Sequence, residues 1–127
     1  MILLLFVVSF FIVPKEEIIY FENDKIQISY EEILCEDIKN GVSFEYYQIK
    51  VENKTKETLV INFYLGEADK KTEENKVAFV LNPFETKVGS CSYQPIKLML
   101  FKNERLTHKS TTAMPFNLNN IETFEVY

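Results

Sequence analysis

The sequence predicts an all-β fold: a single antiparallel two-sheet sandwich, immunoglobulin-like, of about seven or eight short strands. Three observations carry this. Apolar and polar residues alternate repeatedly over short runs, as in Leu59-Val60-Ile61-Asn62-Phe63-Tyr64-Leu65, so one face of each run is apolar. Turn signals return roughly every 8–12 residues. No long segment shows apolar residues at the 3.6-residue spacing of a helix. Composition agrees, because Phe 11 and Tyr 7 with Trp 0 suit strands, and Gly 3 with Pro 4 leaves little for flexible linkers. A chain of 127 residues suffices for one domain and hardly for two.

Residues 1–17 are set apart. Ile2 to Val13 is almost uninterruptedly apolar, and Pro14 followed by Lys15-Glu16-Glu17 ends it sharply. The run is short against the about 20 residues of a bilayer span and fits the about 7–15 of a secretory h-region. It therefore reads as a secretory signal peptide or a short N-terminal anchor, with a buried first strand as the competing reading. Residues 18–127 are the expected sandwich domain.

Ile18 to Phe21 is a short edge strand or the tail of the leader, and Glu22-Asn23-Asp24 is a turn. In Lys25 to Tyr30 the apolar Ile26, Ile28 and Tyr30 share one side, the pattern of a half-buried strand that Ile33-Leu34-Cys35 continues or bends. Asn40-Gly41 is a strong turn dipeptide, since both residues tolerate positive φ. Val42 to Leu65 then reads as two long strands joined into a hairpin by the polar run Glu52 to Glu57. Its first arm is ambiguous. Phe44 and Tyr46 lie on one parity and Tyr47, Ile49 and Val51 on the other, so either both faces are partly covered or a bulge shifts the phase.

Gly66 to Asn75 is the most polar stretch and is expected to be a solvated loop, with a turn of helix within it as the alternative. Val77, Phe79 and Leu81 alternate as a strand closed by Asn82-Pro83, and Phe84, Thr86 and Val88 form the next. Ile96 to Phe101 is apolar on both parities and reads as a central strand, ended by a turn at Asn103-Glu104. Arg105 to Pro115 is polar with no clear pattern. Phe116 to Leu118 and Ile121 to Tyr127 supply a last strand or two. The expected core is Ile26, Ile28, Tyr30, Ile49, Val51, Leu59, Ile61, Phe63, Val77, Phe79, Leu98, Leu100 and Phe101.

Charge narrows the partners. Lys+Arg 14 against Asp+Glu 19 gives a net charge of -5, and basic residues are scattered, so a nucleic-acid backbone is not the expected partner. Contact with a membrane is expected only through the N-terminal segment, if it is retained. No catalytic, cofactor-binding or metal-ligating set stands out. Cys35 and Cys91 alone are too few for a zinc site. His108 lies in a polar stretch, and neither Ser90 nor Ser110 sits in a nucleophile elbow. Glu31-Glu32, Glu36-Asp37, Glu67 with Asp69, and Glu73-Glu74 could pair for acid–base work, but read more simply as solubilising charge. Asn53-Lys54-Thr55 fits the N-glycosylation triplet at an exposed turn.

If the leader directs export, Cys35 and Cys91 meet an oxidising compartment and pair, pinning two sheets together; in a reducing compartment they would be two buried thiols. The segments C-E-D-I-K-N-G-V-S-F-E-Y-Y-Q-I-K-V-E-N-K-T, L-V-I-N-F-Y, L-N-P-F-E-T-K-V-G-S-C and I-K-L-M-L-F, behind a leader, resemble small exported bacterial proteins of uncharacterised function. That resemblance implies an immunoglobulin-like sandwich and transfers no site residue. The chain lacks the Trp between the cysteines that marks antibody-type domains. The expected role is a non-catalytic binding or structural module of the cell envelope or extracellular space, secreted or periplasmic, with a protein or glycan partner. The alternatives are a secreted hydrolase inhibitor, inserting Arg105 to Lys109 or the Gly66–Asn75 loop, and a small hydrolase with paired carboxylates.

Overall fold

The core of the folded chain is a layer of aliphatic side chains between two antiparallel sheets. The structure is a computed structural model describing residues 16–37, 39–67, 72–92, 94–106, 109–110 and 115–126, the side chains of 103–106 and 109–110 excepted. The apolar run Ile2–Val13 and His108 lie outside those residues. The strands are β1 (Ile18–Glu22), β2 (Ile26–Asp37), β3 (Val42–Asn53), β4 (Leu59–Leu65), β5 (Lys76–Leu81), β6 (Thr86–Val88), β7 (Met99–Leu106), β8 (Lys109–Ser110) and β9 (Leu118–Glu125). The larger sheet has the order β1-β2-β3-β7-β8, and the smaller, three-stranded sheet has the order β5-β4-β9. One edge of β3 is shared, with Ser43 to Gln48 on β7 and Lys50 to Glu52 on β6.

Val42–Leu65 is not a hairpin. β3 lies in the larger sheet and β4 in the smaller, and the polar turn between them carries the chain across the sandwich. The hairpin partner of β3 is β2, paired without a break from Ile26↔Asn53 to Asp37↔Val42. Asn40-Gly41 makes that turn, with Gly41 at φ 63. The reason lies in the turns. Gly41 gives the turn after β2 the positive-φ chemistry that reverses a strand beside itself, whereas Lys54 to Thr58, of similar length, has no positive-φ residue and carries the chain to the other layer. The arms of the crossing therefore meet face to face. Ile49 and Val51 join Leu59, Ile61 and Phe63 in one core cluster, all at 0% exposure.

The alternation of β4 is realised in full, with Leu59, Ile61, Phe63 and Leu65 buried and the residues between them half-buried. Burying each such side chain contributes about 1.5–3 kcal/mol. Opposite them on β5 and β9 stand Leu81, Phe79 and Val77, and Leu118. The expected core residue Phe101 is 45% exposed. Its neighbour Leu100 packs against the core, so Phe101 points to the other face of the sheet. Asn103 and Glu104 lie inside β7, opposite Glu45 and Phe44, rather than in a turn. Phe84 belongs to a turn, at φ 57, and not to β6. In the Gly66–Asn75 loop the described part includes one 3-10 turn, Glu73–Asn75.

Each end of the sandwich is closed differently. At the end where β3 crosses to β4, Lys25 Nζ meets Glu125 Oε1 at 3.0 Å, joining the sheets. At the other end Phe116 stacks on Tyr30 at 3.9 Å and meets Tyr20 and Tyr47 edge-on, while the Tyr20 hydroxyl donates to the carbonyl of Leu118 at 3.2 Å.

Candidate binding surface on the projecting ribbon

The sheets differ in length, and this creates the surface. β2 and β3 have 12 residues each, whereas β4 has 7. The half of the ribbon pairing Ile26–Tyr30 with Ile49–Asn53 covers the core. The half pairing Glu31–Asp37 with Val42–Gln48 projects past it, and there the inward-facing Leu34 is 39% exposed.

Without a sheet above them, the inward positions turn polar. Lys102 Nζ lies 2.8 Å from Glu32 Oε1 and 3.6 Å from Glu45 Oε2, with the Tyr47 ring centroid at 5.7 Å. The hydrogen bond to Glu32 raises the Lys102 pKa above that of a free lysine, and burial raises that of Tyr47. Beside this group lies a cleft of about 610 Å³ lined by Glu16, Ile18, Glu32, Ile33, Leu34, Glu45 and Lys102.

The outward face is aromatic. Phe44, Tyr46 and Phe101 form a cluster with ring centroids 5.7 to 6.4 Å apart. Next to it the Cys35–Cys91 disulfide joins β2 to the segment after β6, with Cα atoms 5.6 Å apart. Both cysteines sit on the larger sheet's side, so the bridge does not pin the two sheets together. It walls a cleft of about 320 Å³ whose lining includes Phe44, Tyr46, Met99, Glu36 and Asp37. The ambiguity of β3 is thereby resolved. Both of its faces are partly covered, and its register with β2 carries no bulge; the register with β7 shifts between Glu45 and Tyr46, where the extra residue is Lys102 of β7. Gly89 shapes the same region. It donates to the Ile49 carbonyl, and a Cβ there would overlap the carbonyl of Leu98.

Nearer the core on this outward face, Ser29 is 1% exposed beneath Glu17. The Ser29 hydroxyl donates to Glu17 Oε1 at 2.6 Å, and Lys50 Nζ stands 3.3 Å from the same oxygen. The Ser29 bond, assisted by Lys50, lowers the Glu17 pKa. The sign of the linkage follows: the stabilisation is fully present above the unfolded-state pKa and is lost as pH falls through the lowered folded value. A carbon-detected NMR titration should find the Glu17 carboxyl midpoint below the usual glutamate range, and Ser29→Ala should move it up. An unchanged midpoint in that variant would show that the hydroxyl contributes nothing.

The other residues singled out by sequence do not converge. Glu31 and Glu32 are adjacent on β2 and point to opposite faces, as do Glu36 and Asp37. Glu73 and Glu74 lie in the 3-10 turn, and Asp69 is outside the described residues. The Ser90 hydroxyl donates to the Ser92 carbonyl. Arg105 and Leu106 continue β7, and Thr107 and His108 are outside the described residues. Among the described residues no cluster of His, Cys, Asp and Glu could hold a metal ion, and no helix is long and apolar enough to cross a membrane. Asn53, expected as an exposed glycan acceptor, is 0% exposed. Its amide nitrogen donates to the carbonyls of Glu57 and Asn82, at 2.7 and 3.0 Å, and a glycan on that nitrogen is incompatible with this packing. Sequence reasoning missed Lys102 and the Phe116 lid altogether. Nothing in the local pattern of either residue signals its role. Comparison of the chain with family models, curated proteins and solved structures found no match.

Proposed function

We propose that the chain is a non-catalytic binding module of the cell envelope or extracellular space, engaging a protein partner through the projecting β2–β3 ribbon. The observation that carries this reading is the cluster Phe44, Tyr46 and Phe101. Apolar rings grouped on an outward sheet face, with Phe101 at 45% exposure, suit an interface centre, and Glu36 and Asp37 suit its polar rim. The shifted titratable groups favour binding over proton transfer. Lys102 and Tyr47 move up and Glu17 moves down, each away from neutrality, where a general acid or base would be tuned.

The extracytoplasmic setting is supported by the disulfide and by the leader-like run Ile2–Val13. The strand order supports an immunoglobulin-like type. β2-β3-β7 and β5-β4-β9 correspond to strands A, B and E and to C′, C and F of a variable-type domain, although the Cys35–Cys91 bridge lies elsewhere than the B–F position.

The test is photo-crosslinking in the native host, with a benzophenone amino acid placed at Phe101 or, as control, at Val80 on the outer face of the smaller sheet. A discrete protein adduct at Phe101 and none at Val80 is expected. Adducts at neither position, or the same pattern at both, would overturn the reading.

A further inference from the structure

We propose that the outer edge of β2, from Glu31 to Asp37, takes up an extended basic segment of the partner protein as an additional strand. This rests on the reading of the ribbon as the binding surface and names how the partner is held.

The main chain supplies the first argument. In an antiparallel ladder, alternate residues bond to opposite neighbours. The Lys54 N–H donates to the Lys25 carbonyl at 2.8 Å, and these residues stand opposite each other in the β2–β3 register. Odd-numbered residues along β2 therefore bond to β3. Even-numbered ones face away from it, as the 3.0 Å bond from the Asn23 N–H to the Ile26 carbonyl shows. The pairing of β1 with that edge ends at Ile18, opposite Tyr30, and Glu16 still lines the inward cleft beside Glu32 and Leu34. Beyond it, the N–H and C=O groups of Glu32, Leu34 and Glu36 meet no strand among the described residues. They form a row ready to pair with an incoming strand.

The second argument is the pair of clefts. An added strand sends successive side chains to opposite faces of the sheet. The edge has a cleft on each face. One, of about 610 Å³, lies on the inward side at Leu34; the other, of about 320 Å³, lies on the outward side at Cys35. Alternate apolar side chains of the incoming segment would enter them in turn.

Charge chooses the occupant. The edge reads Glu31-Glu32-Ile33-Leu34-Cys35-Glu36-Asp37, acidic at both ends and apolar in the middle. Lys102 already satisfies Glu32, while among the described residues no lysine pairs with Glu31, Glu36 or Asp37, and Asp37 accepts from Asn40 Nδ2 at 2.8 Å. A second copy of this chain, added antiparallel, would set acids against acids, which is unfavourable across a strand pair. A segment with Lys or Arg at its ends and β-branched residues between complements the whole row.

The probe is a synthetic peptide, Lys-Thr-Val-Ile-Val-Thr-Lys, fluorescein-labelled at its amino end and amidated, added to the full chain. Binding is read by fluorescence anisotropy and by amide hydrogen exchange. We expect saturable binding that weakens as salt rises, with slowed exchange at Glu32, Leu34 and Glu36. The same sequence with Glu for every Lys, and the lysine peptide N-methylated at alternate amides, should each bind at least about tenfold more weakly, the loss that corresponds to about 1.4 kcal/mol. Leu34→Pro removes one outward N–H and no bond to β3, and should weaken binding comparably. If that variant misfolds, the N-methylated peptide still decides, because the protein is then unaltered.

Equal binding by the N-methylated peptide, exchange protection elsewhere, or protection of these amides before any peptide is added would overturn the proposal. Concentration-dependent self-association through this edge would do so too. A crosslinked partner at Phe101 without strand addition would leave the binding-module reading standing, whereas no partner at all would remove that reading itself.

Discussion

Asn53→Ala should destabilise the fold by about 3–5 kcal/mol, a larger loss than most single substitutions cause. Asn53 is buried at 0% exposure and is the node of the crossing between sheets. Its Nδ2 donates to the carbonyls of Glu57, Asn82 and Leu81, at 2.7, 3.0 and 3.4 Å. Its Oδ1 accepts from the backbone N–H and the hydroxyl of Thr55, at 2.9 and 2.8 Å. Its own N–H donates to the Glu85 carbonyl at 2.9 Å. One side chain thus ties the β3–β4 turn to the β5–β6 turn, the two places on this side where the chain changes sheets. Removing it leaves several main-chain groups unpaired, each costing about 1–3 kcal/mol where water cannot enter. Asn53→Asp should be at least as harmful at neutral pH, because a carboxylate would face the carbonyls that now accept from Nδ2. That variant should recover part of its stability on acidification, when the charge is removed. Thr55→Val, which destroys the same sequence triplet, should cost only about 1 kcal/mol. Urea unfolding of the three variants separates the cases. A loss for Asn53→Ala no larger than that for Thr55→Val would mean that water replaces the amide in the turn.

The sandwich itself was legible because its signal is local. In β4 every second residue is apolar and every one of those is buried, and β5 behaves the same way. Pairing was less legible. A run such as Val42–Leu65 states that two strands are joined by a turn, but a side-by-side pair and a face-to-face crossing both satisfy the alternation. Only turn chemistry separates them, and the contrast between Asn40-Gly41 and Glu52 to Glu57 was the available signal. β7 was misplaced for a related reason. Ile96 and Leu98 are as apolar as Met99 to Phe101, yet the pairing starts at Met99 and β7 runs to Leu106, through the polar Asn103-Glu104. Polar residues continue a strand where neither face is in the core.

The candidate surface was half legible. The double apolar parity of Phe44, Tyr46 and Tyr47 left two readings of β3 open, both faces partly covered or a bulge, and the first holds for its pairing with β2. What covers the faces lies far off in sequence: Phe116 on one side, and Phe101 and the segment around Cys91 on the other. The same distance hides the Glu32–Lys102 contact. Adjacent acids in sequence drew the eye instead, and a strand sends neighbours such as Glu31 and Glu32 to opposite faces. Asn53 was misread because a polar triplet between two apolar runs has the composition of a solvated turn. A buried asparagine with all its hydrogen bonds made has that composition too.

Cys35→Ser combined with Cys91→Ser should lower stability by about 4 kcal/mol. The sequence separation of the bridge is 56 residues, and closing a loop of that size removes this much chain entropy from the unfolded state. The loss is large against the about 5–15 kcal/mol that holds a typical domain folded. Its local consequence is sharper. Among the described residues between β6 and β7, Gly89, Cys91 and Leu98 anchor the chain to the sheet, Gly89 also donating to the Ile49 carbonyl at 3.0 Å. The Gly89 carbonyl accepts from Gln48 Nε2 at 2.6 Å, the Leu98 carbonyl accepts from the Ile49 N–H at 2.8 Å, and Cys91 is bound to β2 between them. Without the bridge that segment is released where it walls the outward cleft. Hydrogen exchange should therefore accelerate first at Val42 to Gln48 and around Cys91. The amides of β4 should change only as much as global stability does. Urea midpoints and exchange rates, measured on the oxidised chain and the double variant, test both parts. A stability loss with uniform acceleration would mean that the bridge acts only on the unfolded chain. A local acceleration at nearly unchanged midpoint would mean that it serves chiefly to hold the aromatic face in shape, and such a variant should lose crosslinking at Phe101 while remaining folded.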